Sequence, residues 1–210
     1  RSSAASDVYK RQGIGKDGDF YSAGQTVLEA RGSAEKIHSI YKTVQNILEY
    51  SSGITNRVRA ITKQIEAANS KAKVAVTRKH FPGTKTISLN AALLGGAIVH
   101  RAGLSESILV FDQHRVFCKD PVSAVRMAKK QEPEKKIAVE VENEEEGIQY
   151  IHAGADIIQC ERFNPEALKA FVVKARNIRN DVIINAAGGI NDTNAYEYAL
   201  TCADVLVTSC

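Results

Sequence analysis

From Val74 onward the chain repeats one pattern: a short run of β-branched and aliphatic residues, a polar junction, then a stretch with helical spacing. The apolar runs are Val74–Val76, Ile108–Phe111, Ile137–Val141, Asp156–Ile158, Val182–Ile184 and Val205–Val207. Helical stretches separate most of them: Thr84–Leu94, Pro121–Lys130, Glu144–His152, Pro165–Ile178 and Thr193–Leu200. Near-continuous apolar strands are buried on both faces, and helices between them return the chain so that the strands run parallel. The chain is therefore α/β. Six such units fit a (β/α) barrel cut short of closure or a doubly wound open sheet, and periodicity does not choose between them.

The part before Val74 reads differently. Residues 1–12 are polar, share no pattern with the rest of the chain, and are set aside as a non-native segment. Lys16-Asp17-Gly18-Asp19 has turn chemistry and Thr26–Ala30 is β-prone. From Ser33, a candidate N-cap, Ile37, Ile40, Tyr41, Val44, Ile47 and Leu48 recur at helical spacing. Gly53 is expected to break this helix before a second one carrying Ile54, Val58, Ile61 and Ile65. These features divide the chain into residues 13–70 and a β/α part over 71–210. The start without Met and the abrupt end after Val205–Val207 read as a fragment, with the strands that close a barrel missing at the far end.

Composition removes several function classes. The longest apolar run, Ala91–Val99, holds two glycines and is far short of the ~20 residues of a membrane helix, so no membrane insertion is expected. A net charge of +4 with no Trp and 6% aromatics gives no basic stripe interleaved with stacking rings, so no nucleic acid is expected. Cys118, Cys160, Cys202 and Cys210 form no C-x-x-C pair, which fits reduced thiols in a cytoplasmic protein. The histidines show no metal-ligand spacing, and His38 and His152 read as surface or packing residues.

The strand ends carry the chemistry. The runs finish in Thr77-Arg78-Lys79-His80, Asp112-Gln113-His114-Arg115, Glu140 with Glu142, Cys160-Glu161-Arg162, Asn185 with Gly188-Gly189, and Thr208-Ser209. Barrel enzymes build their sites at this end. Arg78, Lys79, His80, Lys85, His100 and Arg101 make a cationic set suited to carboxylates or phosphates. Gly188-Gly189 before a helix lets backbone amides approach a phosphate, although such a pair also makes ordinary turns. Glu140 and Glu161 beside a polyanion pocket make electrostatic sense with a metal ion or a developing positive charge between them; a salt bridge from each is the alternative.

The motifs Thr77-Arg78-Lys79-His80-Phe81-Pro82-Gly83-Thr84-Lys85, Gly95-Gly96, His100-Arg101-Ala102-Gly103-Leu104 and Leu109-Val110-Phe111-Asp112-Gln113-His114 resemble the quinolinate phosphoribosyltransferase (nicotinate-nucleotide pyrophosphorylase) family. Val139-Glu140-Val141-Glu142-Asn143, Gly154-Ala155-Asp156-Ile157-Ile158 and Ala187-Gly188-Gly189-Ile190 continue the resemblance in the same order. Details at 78–85 and 111–114 are most similar to the branch associated with molybdate uptake.

The resemblance implies a partial N-terminal α/β sandwich followed by a truncated TIM-like barrel, in a homodimer or higher homo-oligomer with shared sites. It implies transfer of the sugar phosphate of phosphoribosyl pyrophosphate to an aromatic nitrogen heterocycle, in the family a pyridine, with Mg²⁺, releasing pyrophosphate and carbon dioxide. Carried over by motif, Arg78, Lys79, His80, His100 and Arg101 hold the acceptor and pyrophosphate. Glu140 and Glu161 hold ribose and Mg²⁺ and act in catalysis with Lys79. Gly188, Gly189, Thr208 and Ser209 hold the 5′-phosphate. Three positions depart from the family: Glu161 stands where it usually has an aspartate, Phe111 where it has a lysine, and Lys42 where it has an arginine donated across the dimer; the last two bear on the acceptor. Both of these point to an acceptor less acidic than a dicarboxylate. The alternatives are a true carboxylating nicotinate-nucleotide pyrophosphorylase of NAD biosynthesis and a non-catalytic ligand-binding protein of molybdenum metabolism.

Overall fold

A computed structural model describes residues 11–13, 15–101, 103 and 105–209. The chain begins with β1 (Arg11–Gly13) and β2 (Leu28–Ala30), then α1 (Ala34–Ala67), β3 (Lys73–Val76), α2 (Lys85–Leu94), β4 (Ile98–Val99) and β5 (Ile108–Val110). It continues through α3 (Asp112–Arg115), α4 (Pro121–Gln131), β6 (Ile137–Val141), α5 (Glu144–His152), β7 (Ile157–Glu161), α6 (Pro165–Ile178), β8 (Ile183–Ala187), α7 (Ala195–Ala199) and β9 (Val205–Thr208). Residues 1–10, most of the polar opening segment, and Cys210 lie outside the described residues. Arg11 and Gln12 pair antiparallel with Ala30 and Glu29, so β1 and β2 form a two-stranded ribbon.

β3 to β9 form one sheet of 7 parallel strands in the order β4-β3-β9-β8-β7-β6-β5. The final strand pairs with the first, from Lys73↔Val205 to Val76↔Thr208. The edges are therefore β4 and β5, and no edge lies at β9, where missing strands were expected to leave one. β4 was also hidden in the sequence, inside the apolar run after Gly95-Gly96. Past the two edges, the Arg101 guanidinium stands 5.7 Å from the Phe111 ring centroid. The sheet is an incomplete parallel barrel, open between β4 and β5.

Alternate residues on each strand separate two apolar layers. Val74, Val139, Val141, Ile158, Ile184 and Leu206 face the helices and share the main core with Val58, Ile61, Leu168, Phe171 and Val172. Burying one such side chain contributes about 1.5–3 kcal/mol. On the inner face, small Ala75, Ala187 and Val207 make a separate cluster and leave room for polar side chains.

The helices begin where the sequence supplies caps. Asp120, Asn143 and Asn164 accept from the backbone N–H of Ser123, Glu146 and Ala167, and Pro opens both α4 and α6. α1 differs from expectation because it runs unbroken through Gly53, which is exposed and has no neighbour within 4 Å of where a Cβ would stand. A single glycine costs a helix only about 1 kcal/mol relative to Ala. Packing of Val58, Ile61 and Ile65 outweighs it. The expected apolar face of the first half is instead exposed, Ile40, Tyr41, Ile47 and Leu48 being 38–45% accessible.

Candidate active site

At the C-terminal ends of the strands lies a cavity of about 940 Å³. Its wall takes Thr77, Arg78 and Lys79 after β3, His100 and Arg101 after β4, Phe111 after β5, Glu140 from β6, Gln159 and Glu161 from β7, Gly188 and Gly189 after β8, and Ser209 after β9. Ten residues singled out in the sequence thus share one cavity: Arg78, Lys79, His100, Arg101, Phe111, Glu140, Glu161, Gly188, Gly189 and Ser209.

Four do not line it, one of them Lys85 at the start of α2. His80 is turned to its own loop, its Nδ1 lying 3.5 Å from Phe81 O. Lys42 projects from the exposed half of α1, where its Nζ donates to Gln45 Oε1. Thr208 is buried and its hydroxyl donates to Ile190 O at 2.8 Å, which ties the glycine loop to β9.

The two acids share an unfavourable environment. Glu140 is held above the ordinary glutamate range, first by burial and then by the like charge of Glu161, with the Gln159 hydrogen bond, Arg115 and Lys79 opposing. Gln159 Nε2 donates to Glu140 Oε2 at 2.7 Å, and Glu161 Oε1 lies 3.6 Å from Arg162 Nε. On the cationic side, burial and Arg101 push His100 down, so its imidazole favours the neutral form. Burial, then Arg78, lowers Arg101. Like charges gathered without neutralising one another are the mark of a place awaiting a charged ligand.

Sequence reasoning gave no role to Gln159, Asn185 or Arg162. Gln159 and Asn185 face each other across β7 and β8, directly beside Glu140 in the register of β6 and β7. Both are nearly fully buried, and Asn185 Nδ2 lies 3.4 Å from His100 Nε2. A belt of polar groups therefore crosses the barrel from Glu140 to His100. The available signal was a polar residue inside an otherwise apolar strand, as in Ile157-Ile158-Gln159-Cys160.

The glycine loop is fixed by its neighbours. Gly188 and Gly189 have φ of 89° and 82°, conformations that favour glycine. A Cβ at Gly188 would stand 2.6 Å from Arg162 Cγ and 2.7 Å from Glu161 Oε1. Asn191 and Asn194 both donate to Gly189 O, and Asp192 pairs with Arg57 of α1 at 2.6 Å. With no side chain at either position, the loop lets a ligand approach the backbone closely.

Among the described residues no group of three or more His, Cys, Asp or Glu side chains forms a self-sufficient metal cage. Two mutually repelling carboxylates in an open cavity fit Mg²⁺, which takes one or two carboxylates and completes its shell with substrate oxygens and water.

The sequence model described as "Quinolinate phosphoribosyl transferase, C-terminal domain" matches residues 54–210. The chain is 38% identical over 197 residues to "Putative pyrophosphorylase ModD" of Pasteurella multocida, covering 92% of this chain and 70% of that protein. The protein of the same description from Rhodobacter capsulatus is 40% identical over 175 residues, covering 82% and 67%. The solved structure of the nicotinate-nucleotide pyrophosphorylase from Francisella tularensis superposes with a TM-score of 0.87 at 28% identity, covering 95% of this chain and 70% of that one. The chain thus spans about two thirds of the length of these proteins. A match that takes in every strand of the parallel sheet, and with it every wall of the cavity, places the chain in the quinolinate phosphoribosyl transferase family of pentosyltransferases.

Proposed function

We propose that the chain transfers the sugar phosphate of phosphoribosyl pyrophosphate to the nitrogen of an aromatic heterocycle. The observation that supports this most is one cavity with Arg78, Lys79, His100 and Arg101 on one wall and Glu140 and Glu161 on another. The cations bind the pyrophosphate and any acidic group on the acceptor. Gly188, Gly189 and Ser209 receive the 5′-phosphate, and Thr208 holds that loop in place. The ribose then lies beside the two carboxylates.

As the bond from C1 to the pyrophosphate oxygen breaks, positive charge develops on the sugar, and Glu140 and Glu161 stabilise it. The heterocycle's nitrogen lone pair forms the new bond to C1, and pyrophosphate leaves with the electron pair of the old one, its charge held by Lys79 and Arg78. Glu140 and Glu161 would hold Mg²⁺, which would supply charge neutralisation to the diphosphate. Gln159 orients Glu140 through its 2.7 Å hydrogen bond.

Phe111 presents a ring rather than a charge to the cavity, with Arg101 over it at 5.7 Å. An acceptor that stacks on this ring and carries at most one carboxylate fits better than a dicarboxylate. Residues 13–70 are read as part of an N-terminal sandwich. Lys42 and the exposed apolar positions beside it on α1 support assembly with a second copy of the chain. A role in the cytoplasm linked to molybdate uptake is the reading that the motif resemblance at 78–85 and 111–114 supports.

The test offers the protein phosphoribosyl pyrophosphate and Mg²⁺ with a panel of pyridine carboxylates, pyridine carboxamides and nucleobases, and measures pyrophosphate release. Release with a monoacid or neutral acceptor is expected. Brisk turnover of quinolinate with loss of carbon dioxide would favour a carboxylating enzyme, and no release with any acceptor would overturn transfer altogether.

A further inference from the structure

We infer that Arg162 is a substrate-binding residue, contributing a guanidinium fork to the phosphate on C5 of the donor sugar. The inference rests on the transfer reading, in which the Gly188-Gly189 loop receives that phosphate.

Three non-glycine residues among those described have positive φ: Asn69 at 53°, Arg162 at 57° and Cys202 at 64°. Asn69 and Cys202 come just after the ends of α1 and α7, where a left-handed residue is an ordinary way to stop a helix. Arg162 instead comes after β7 at the cavity mouth, and no helix end accounts for its conformation. Its backbone is pinned there, because its N–H donates to Ala187 O at 2.8 Å, one residue before Gly188.

A left-handed position is cheapest for glycine. An arginine kept there for packing would be buried, yet the Arg162 side chain is 84% accessible. The strained backbone does accomplish one thing: it lays the side chain's stem against Gly188, where the space taken by Arg162 Cγ is free only because that residue has no Cβ. The guanidinium then lines the cavity, with Nε 3.6 Å from Glu161 Oε1, a loose ion pair that leaves its planar fork usable. Bidentate recognition of a phosphate is what such a fork does well and a lysine does less well. Strain held at a ligand site by its surroundings is a recognised sign of function.

The experiment measures binding of ribose 5-phosphate and, separately, of inorganic pyrophosphate to the wild-type protein, Arg162→Gly and Arg162→Lys by calorimetric titration, with the melting temperature of each. Arg162→Gly is expected to weaken ribose 5-phosphate at least tenfold, to leave pyrophosphate within twofold, and to melt at the same or a higher temperature. Arg162→Lys is expected to recover part of the affinity. Unchanged ribose 5-phosphate affinity, an equal loss for both ligands, or a lower melting temperature for Arg162→Gly would each overturn the assignment while leaving the transfer reading intact. Wild-type protein that bound neither ribose 5-phosphate nor phosphoribosyl pyrophosphate with Mg²⁺ would overturn the transfer reading, and this inference with it.

Discussion

At the N-terminal end of the strands, Asp156 takes Lys129 Nζ at 2.7 Å and the Ile137 amide at 2.8 Å. Farther along the chain, Asp204 takes Arg176 Nη2 at 2.6 Å and the Ile184 amide at 2.7 Å. Each acid comes after a left-handed residue and an alanine, Gly154-Ala155 and Cys202-Ala203, and each ties a helix to the start of a neighbouring strand. At the opposite end the same residue types are arranged the other way. Arg78, Lys79, His100 and Arg101 crowd one wall, Glu140 and Glu161 another, and Glu140 and Arg101 each feel a neighbour of like charge. Charges that neutralise each other locally hold a structure together, whereas charges kept apart by sign store a field for a ligand. The comparison assigns stability to one end of the sheet and chemistry to the other, and substitutions at the two ends should separate these properties.

The largest effect is expected at Glu140. Glu140→Gln keeps the shape and removes the charge, so the rate of pyrophosphate release should fall about 10²–10³-fold. The melting temperature at neutral pH should be unchanged or higher, because a half-buried charge repelled by Glu161 is gone. The pH dependence has a definite sign. Glu140 titrates above the ordinary glutamate range, so activity should fall on acidification before an ordinary glutamate would protonate. A carboxyl raised in the folded state opposes folding when ionised, so over the same window its contribution to stability should improve as pH falls. In Glu161→Gln, the acid limb of any residual activity should move to lower pH. A fixed limb would show that Glu161 does not act on Glu140.

Next is the glycine pair, where two adjacent residues should respond unequally. Ala at either position meets the positive-φ penalty of about 1–2 kcal/mol. At Gly189 nothing lies within 4 Å of the new Cβ, whereas at Gly188 it collides with Arg162 and Glu161. Overpacking adds about 1–3 kcal/mol. Gly188→Ala should therefore lose more stability than Gly189→Ala in urea unfolding, and more activity because Glu161 must move. Equal losses would mean that the loop shifts freely and does not hold Glu161.

At the other end of the sheet, Asp204→Ala removes the Arg176 pair and the acceptor of the Ile184 amide. Hydrogen bonds to charged groups contribute about 1.5–3 kcal/mol. Both side chains are about a third accessible, 31% and 37%, so solvent screening reduces the ionic part. A loss of about 2 kcal/mol in urea unfolding is expected, with pyrophosphate release per folded molecule nearly unchanged. A selective loss of activity would break the division between the two ends.

Much of this was legible in the residues. The β/α alternation comes from apolar runs that tertiary packing has little reason to override, and the strand ends advertise themselves because charge is costly beside a buried run. Sheet order was not legible, because Val205–Thr208 pairing with Lys73–Val76 depends on curvature accumulated over the whole sheet. β4 went unseen because two residues carry too short a pattern. Gln159 escaped, and Asn185 was named at a strand end without a role, because a single polar residue in an apolar strand does not say which face it occupies until the register is known.

The smallest effect is expected in α1, where sequence and structure disagreed most. Gly53 lies inside the helix, exposed, with open space where a Cβ would go. If the helix persists there only because packing of Val58, Ile61 and Ile65 outweighs a poor helix former, Gly53→Ala should relieve that cost. The substitution should stabilise the protein by about 0.5–1 kcal/mol, chiefly by restricting the unfolded chain, and raise the melting temperature by a few degrees. The affinity for phosphoribosyl pyrophosphate should not change, since Gly53 touches no part of the cavity. A destabilising result would show instead that the glycine supplies a bend the two halves of α1 need, and that the break expected from the sequence marks a real weakness in the helix.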